Sequence, residues 1–398
     1  MAADERAPLS TGPDKGPGDA ERPAPAAGPQ ITRLTLSDFR NHRLTDITFD
    51  APMVALTGPN GAGKTNILEA ISLLSPGRGL RRARYADMIR SGAARGFSVA
   101  VKLRPLVSLE LADEPIRMGT GVSGVNDGSR EIRIDGVPAR TSEVLSEHLS
   151  LLWLTPAMDG LFTGGASDRR RFFDRLVLAL HPQHGRHVNR FESAMRARNK
   201  LFDTQSHDRA WFEGVEAEMA STAHRIDNAR QNTLSLLRNA ITEARVEVSE
   251  FPYAELQLTG FEDASRYQER LESLRERDRA AGRALEGPHR VDLEVVHGPK
   301  QMSAKLASTG EQKALLIGLV LAQARLIKAQ SGRAALLLLD EIAAHLDQKR
   351  RRALFDLCFQ MGGQTFMTGT DTALFEQLPS TSQRFDVEEG NVTSISTV

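Results

Sequence analysis

The 398 residues carry 51 Lys plus Arg against 51 Asp plus Glu, one cysteine and 40% hydrophobic residues. That excludes collagenous, disulfide-rich and wholly disordered classes and sizes the chain for about two or three domains. A formal net charge of zero argues at face value against a nucleic-acid partner, because phosphate binding leaves a basic footprint.

The first 30 residues hold six Pro, four Gly and seven Ala and read as a disordered leader without the apolar stretch of a secretory signal. The longest apolar run, Ala314 to Ala322, is about half a membrane span, so the chain is expected to be neither secreted nor membrane-spanning. Alternation predicts a strand over Ile31 to Leu36, then strands at Ile47 to Phe49 and Met53 to Thr57, the last an apolar run suited to a parallel sheet. Further strands are predicted at Phe97 to Leu103, Val107 to Leu111 and Glu131 to Asp135, where Asp135 and Gly136 signal a hairpin. From about His181 the texture turns helical. Val215, Met219, Ile226, Leu234, Leu237, Ile241 and Val248 make a near-heptad seam that predicts one helix over 208–250, roughly 60 Å long, ended by Phe251 and Pro252. A second helix is predicted from Arg266 to Leu285, and residues 208–286 hold 16 acidic and 11 basic residues. A strand at Val291 to Val296, a helix from Glu311 to Ala329, an apolar run from Ala334 to Leu339, another helix and a strand at Thr365 to Thr368 follow. The fold class is therefore α/β, with a head assembled from both chain ends, 31–180 and 288–398, and a helical lobe at 181–287. The lone Cys358, with no Cys/His cluster, excludes a disulfide framework and a zinc site, fits a reducing cytoplasm and reads as a core thiol.

Gly58, Pro59, Asn60, Gly61, Ala62, Gly63, Lys64 and Thr65 match GxxxxGK[ST] between a buried strand and the helical run that begins at Asn66. Glycines let consecutive N–H groups turn toward phosphates, Lys64 reaches the β and γ oxygens, and Thr65 offers a hydroxyl to Mg²⁺, so ATP and Mg²⁺ are the expected cofactors. Four leucines, Leu336 to Leu339, deliver Asp340 and Glu341 to a strand end, where ligands sit in open α/β sheets. Asp340 is placed for the metal, and Glu341 for polarising the attacking water. Ser308, Thr309, Gly310 and Glu311 open a helix 32 residues before Asp340, presenting a hydroxyl, a glycine and a helix N-terminus together. Ser308 and Glu311 also have the spacing of a capping box, and both readings hold at once.

Ser308 to Lys313 is similar to the signature of ATP-binding-cassette ATPases, and His345 to Asp347 resembles their D-loop. That resemblance implies a head-to-tail homodimer in which Ser308 and Gly310 reach nucleotide held by the other copy. Where transporter cassettes carry a switch histidine, Thr368 is followed by Gly369, Thr370 and Asp371, and Leu151 to Pro156 supplies no Q-loop glutamine. The insert of 250 residues between Gly58 and Ser308 is too long for a transporter cassette and too short for the arms of an SMC tether. Only 57 residues follow Glu341, too few for the acidic metal domain of the overcoming-lysogenization-defect nucleases.

This spacing, with Leu36 to His42, Ser75 to Arg78, Gly164 to Asp174 and Gly287 to Arg290, closely resembles the RecF family of bacterial recombination-mediator ATPases from about residue 31 to 371. His42 and Thr309 depart from the family pattern, which often has an aromatic and a Gln there. The resemblance implies that Arg40, Asn41 and Asn66 join the nucleotide site, with Lys64 and Glu341 catalytic. It also implies an ATP-induced dimer on duplex, gapped or junction DNA, slow DNA-stimulated hydrolysis acting as a timer, and help to RecA loading with RecO and RecR. Residues 78–95 supply a basic run, Arg78, Arg81, Arg82, Arg84, Arg90 and Arg95 against Asp87, of which the first four are the candidate DNA contacts. With 16 Phe, three Tyr and two Trp, a base-stacking platform is not expected, and backbone contact to duplex is favoured.

Overall fold

The computed structural model describes residues 28–105, 114–124, 128–204, 208–244, 250–261 and 263–395. The expected leader lies almost entirely, and the expected strand at 107–111 entirely, outside them. In chain order the elements begin with β1 (Gln30–Phe39), β2 (His42–Thr48), β3 (Met53–Thr57), α1 (Lys64–Ser72), α2 (Tyr85–Met88), β4 (Ser98–Arg104), β5 (Ile116–Gly121), β6 (Glu131–Ile134) and β7 (Val137–Pro138). They continue with α3 (Leu145–His148), β8 (Leu151–Leu154), α4 (Ala166–Leu180), α5 (His184–Asp203), α6 (Arg209–Ala244), β9 (Ala254–Thr259), α7 (Tyr267–Ser273) and α8 (Arg275–Ala281). The last are β10 (Asp292–His297), β11 (Met302–Ser303), α9 (Thr309–Ser331), β12 (Leu336–Leu339), α10 (Gln348–Met361), β13 (Thr365–Thr368), β14 (Gln383–Glu388) and β15 (Asn391–Ile395).

Two six-stranded sheets sandwich α1. One is antiparallel, in the order β2-β1-β4-β5-β6-β7, and the other runs β15-β14-β3-β13-β12-β8 with only β15 antiparallel. In β3 and β12 alternate residues face opposite ways. Val54, Leu56, Leu336 and Leu338 join α1 and the antiparallel sheet in one core, while Met53, Ala55, Leu337 and Leu339 join α4, α9 and α10 in another. Helix α9, apolar on nearly all sides, is the central helix of that second core. Cys358 is fully buried there, and burial pushes its thiol up to about 12.

Of the expected seam, Met219, Ile226, Leu234, Leu237 and Ile241 are buried and Val215 is half-buried on a helix described over Arg209–Ala244, while Val248 lies outside the described residues. The seam serves two cores rather than one partner helix. Met219 and Ile226 pack with Phe191 of α5 and Tyr267 of α7, whereas Leu234, Leu237 and Ile241 pack into the core beneath the mostly parallel sheet. The expected helix over 266–285 is instead two short helices, α7 and α8, meeting at Leu274, and Asp278 of α8 is buried against Arg198. Residues 181–287 are not wholly helical either: β9 alternates buried and exposed positions and pairs with β10. The turn at Asp135 and Gly136 joins β6 to β7 as expected, both residues taking positive φ.

Charge is also buried in the helical part. Arg198, Glu216 and Asp278 are each no more than 2% exposed, with Arg198 Nε donating to Glu216 at 2.9 Å and Nη1 to Asp278 at 2.6 Å. In a second cluster, about four helical turns away along α5 and α6, Asp174 accepts two hydrogen bonds from Arg230 and one from His184, and these partners hold its carboxyl down at about 2 against the effect of burial. Removing one partner of such a network strands the others. Arg198→Met is therefore expected to lower stability by about 3–5 kcal/mol, read as a shifted urea midpoint at unchanged slope. A loss below about 1 kcal/mol contradicts this reading of the network.

Candidate nucleotide site

The loop between β3 and α1 is shaped by glycine. Gly58, Gly61 and Gly63 have φ of 139°, 82° and 116°, a region that side chains disfavour. Two of them are also crowded: a Cβ on Gly58 would sit 2.1 Å from the Val387 carbonyl oxygen, and one on Gly63 would sit 2.7 Å from the Asn41 side chain. The hairpin tip between β1 and β2 therefore lies directly on the loop. Asn41 Nδ2 donates to the Ala62 carbonyl at 2.9 Å, Asn66 donates to Asn41 Oδ1 at 2.8 Å, and the His42 ring lies between the Gly63 and Gly390 carbonyls.

Lys64 is 4% exposed, and its Nζ donates to the carbonyls of Gly58 at 2.7 Å and Pro59 at 2.8 Å. Its hydrogen-bond partners are neutral, so the loop encloses a positive charge. Burial lowers the ammonium below the usual lysine value, and Glu341, Asp340 and Asp386 oppose that shift. A buried ammonium tied to a glycine-rich loop between a strand and a helix fits a phosphate chain.

Asp340 follows β12 and is 5% exposed. Two hydroxyls converge on its Oδ1, Thr65 Oγ1 at 2.8 Å from the loop and Thr368 Oγ1 at 2.8 Å from the end of β13. Thr368 Oγ1 in turn accepts the backbone N–H of Glu341 at 2.9 Å, and Glu341 takes φ of 53°, unusual outside glycine. Thr65 and Asp340 present hard oxygen donors side by side, the set that suits Mg²⁺. Loop, strand end and Glu341 thus form one bonded unit.

Ser308 caps α9 and completes a capping box with Glu311, which also pairs with Lys300. These bonds, with the cap N–H, hold the Glu311 carboxyl down at about 2. Ser308 and Gly310 are exposed, and a Cβ on Gly310 would meet nothing within 4 Å. Among the described residues no hydrogen bond joins this segment to loop 58–65 of the same chain.

The four arginines singled out after the loop part company. Arg81 stays exposed, its side chain 41% accessible, while its guanidinium donates to Asn66 at 2.7 Å and to the fully buried Glu69 at 3.0 Å. Arg40 grips the same Glu69 with two hydrogen bonds of 2.8 and 2.7 Å. Arg84 pairs with Asp87 at the surface, Arg78 lies over the Tyr85 ring, and exposed Arg82 stands among the like charges of Arg171 and Arg78 and the opposite charges of Glu192 and Asp168. Sequence reading did not single out Thr368, Glu69 or Asp386. Thr368 carried a usable signal, as the hydroxyl residue ending the strand beside Asp340.

The model of the RecF/RecN/SMC N-terminal domain family matches residues 30–393, further than the motifs alone reach. The DNA replication and repair protein RecF of Rhizobium rhizogenes is 52% identical over 374 residues, covering 91% of this chain and 98% of its own. That of Rhizobium johnstonii is 53% identical over 373 residues, with the same coverage. Among solved structures, the recombination mediator protein RecF of the RecFOR pathway, solved as RecF-ATPrS, superposes with a TM-score of 0.79 at 20% identity. It covers 94% of this chain and 100% of its own. The Smc head of Pyrococcus furiosus bound to ScpA gives 0.51 at 19% identity, covering 92% and 96%, so both likenesses speak to the fold.

Gly58→Ala is expected to cost about 1–3 kcal/mol of stability, read as a lowered thermal midpoint, because the new methyl meets the Val387 carbonyl and the backbone is strained. Gly310→Ala, in open space, is expected to leave the midpoint unchanged. Equal midpoints for the two variants would contradict the crowding described at Gly58.

Proposed function

This chain belongs to the RecF family of DNA replication and repair proteins, and on that premise we propose that it is a cytoplasmic, ATP-dependent DNA-binding protein of replication and recombinational repair. ATP joins two copies head to tail on duplex or gapped DNA, and slow, DNA-stimulated hydrolysis parts them. In this reading the protein works with RecO and RecR to help RecA load. Residues 31–180 and 288–398 act as the head, and 181–287 as the helical lobe.

The observation that carries the reading is the bonded unit of Thr65, Asp340, Thr368 and Glu341, which links a phosphate-binding loop to a strand-end acid pair. Lys64 and the loop N–H groups bind the phosphates, with Arg40, Asn41 and Asn66 bracing the loop. Thr65 and Asp340 would hold Mg²⁺, which when bound neutralises the phosphate charge. Glu341 orients water for hydrolysis. The exposed N-terminus of α9, unbonded to its own chain's loop, supports a role for Ser308 and Gly310 toward nucleotide on a second copy. Glu341→Gln with ATP is expected to accumulate as a dimer by light scattering. A monomer that retains nucleotide would falsify the shared-site reading.

For DNA, exposed Arg78, Arg82 and Arg84 support contact with phosphates, joined by Arg171 beside Arg82. Replacing Arg78 and Arg82 together by Ala is expected to flatten the slope of log K against log salt by about 1.8, two phosphate contacts' worth. Arg81→Ala should leave that slope unchanged and weaken nucleotide binding instead, through Glu69 and Asn66. The opposite pattern would return Arg81 to the DNA surface.

A further inference from the structure

The outer face of the antiparallel sheet breaks a rule of cross-strand pairing. Opposed residues on neighbouring strands usually pair charge with countercharge, and like charges directly opposite are destabilising. Here Arg33 of β1 lies opposite Lys102 of β4, and Lys102 opposite Arg117 of β5. Three cations therefore stand side by side across three strands, within about 10 Å at the usual strand spacing. Arg33 pairs with Asp46 at one margin, while Lys102 and Arg117 make no side-chain ion pair among the described residues. Arg133, from β6, flanks the row and has only a 3.7 Å contact to Glu131.

The next register row is the reverse: Thr35, Ala100 and Gly119 are small and lie opposite one another. A Cβ on Gly119 would find only the Val99 carbonyl oxygen at 3.8 Å, so packing does not demand glycine there. The small row leaves a trough of about 290 Å³ whose walls are Arg33, Lys102, Arg117 and Arg133. The one acid beside it among the described residues of the row is Asp46, opposite Thr35 at the margin, where it accepts from Arg33 and Thr35 and feels the charge of Lys102. The apolar residues at its floor, Val101 and Met118, are buried, and no aromatic ring lines it.

A linear row of cations over a flat, small-residue floor suits a linear row of anions that comes close to the backbone. It has no ring for stacking bases and no exposed apolar pocket to seat the side chains of an acidic peptide. We propose that this trough is a second DNA-contact surface, separate from the 78–95 arginines, which binds the phosphodiester backbone of duplex DNA through Lys102 and Arg117, flanked by Arg33 and Arg133. The proposal rests on the DNA-binding function inferred above. It also gives a reason for keeping a like-charge row that costs the free protein stability: the row becomes favourable once phosphates lie across it.

The test uses the full-length protein with ATP and a fluorescent duplex, with anisotropy followed across a salt series. Lys102→Ser combined with Arg117→Ser is expected to flatten the slope of log K against log salt by about 1.8, in addition to the loss at Arg78 and Arg82. Lys102→Arg with Arg117→Lys, which keeps the charge, should hold the wild-type slope and shows that folding is not at issue. Binding by the wild type with parallel slopes for wild type and Ser variant overturns the trough alone. A wild type that dimerises with ATP yet binds no DNA overturns the functional reading and the trough with it. Poly-L-glutamate bound by the wild type and lost in the Ser variant, with DNA binding unchanged, assigns the face to an acidic protein instead and also overturns the proposal.

Discussion

A single carboxylate oxygen organises the head. Asp340 Oδ1 accepts from Thr65 and Thr368, residues 275 and 28 positions away, so the loop after β3, the end of β12 and the end of β13 meet at one point. For that to happen β3, β13 and β12 must lie side by side and parallel, as their register has them. Parallel neighbours need long crossovers, and both cores are built from the segments that make those crossings. The wish to bury Leu336 to Leu339 and the need to bring Asp340 to the loop are satisfied by the same strand.

The helical part depends on the head through α6. Its first half packs with α5 and α7, and its second half is part of the head's core, so no short linker separates the two. Arg230 reinforces the joint, donating to Asp174 of α4 and to the Pro288 carbonyl where the chain returns. One continuous helix thus contributes to both cores.

Much of the site was legible because its signals are local. Gly58 to Thr65 constrain their own φ angles, Leu336 to Leu339 dictate their own burial, and Ser308 with Glu311 forms the capping box that their spacing allows. What escaped depends on residues far apart in sequence. Arg81 is the surface charge the sequence suggests, but its bond to buried Glu69, 12 positions earlier and shared with Arg40, was not legible. The strand Ala254–Thr259 was hidden among helical neighbours because its identity comes from pairing with β10. At the break around Leu274, Arg198 donates to the Leu271 carbonyl and to Asp278, 73 and 80 residues further on, and no short window along the chain contains these partners together. Global neutrality was similarly uninformative, because one charge total averages the cationic row on the sheet with the acid-rich helical stretch.

The hairpin between β1 and β2 gives these separate features a mechanical relation. Its tip touches the loop through Asn41 and His42, and Gly63 must be glycine for the tip to come so close. The turn before β15 holds the same loop from another side, Gly390 N–H donating to the Ala62 carbonyl at 2.9 Å. Arg33, in the cationic row, stands on the strand that ends at this tip, and Arg40 just beyond it grips Glu69 of α1. One strand therefore connects the outer face of the antiparallel sheet to the loop and to the helix that follows it. The loop cannot shift without disturbing Asn41, His42 and Gly390 together, because their bonds to Ala62 and Gly63 hold it from two sides.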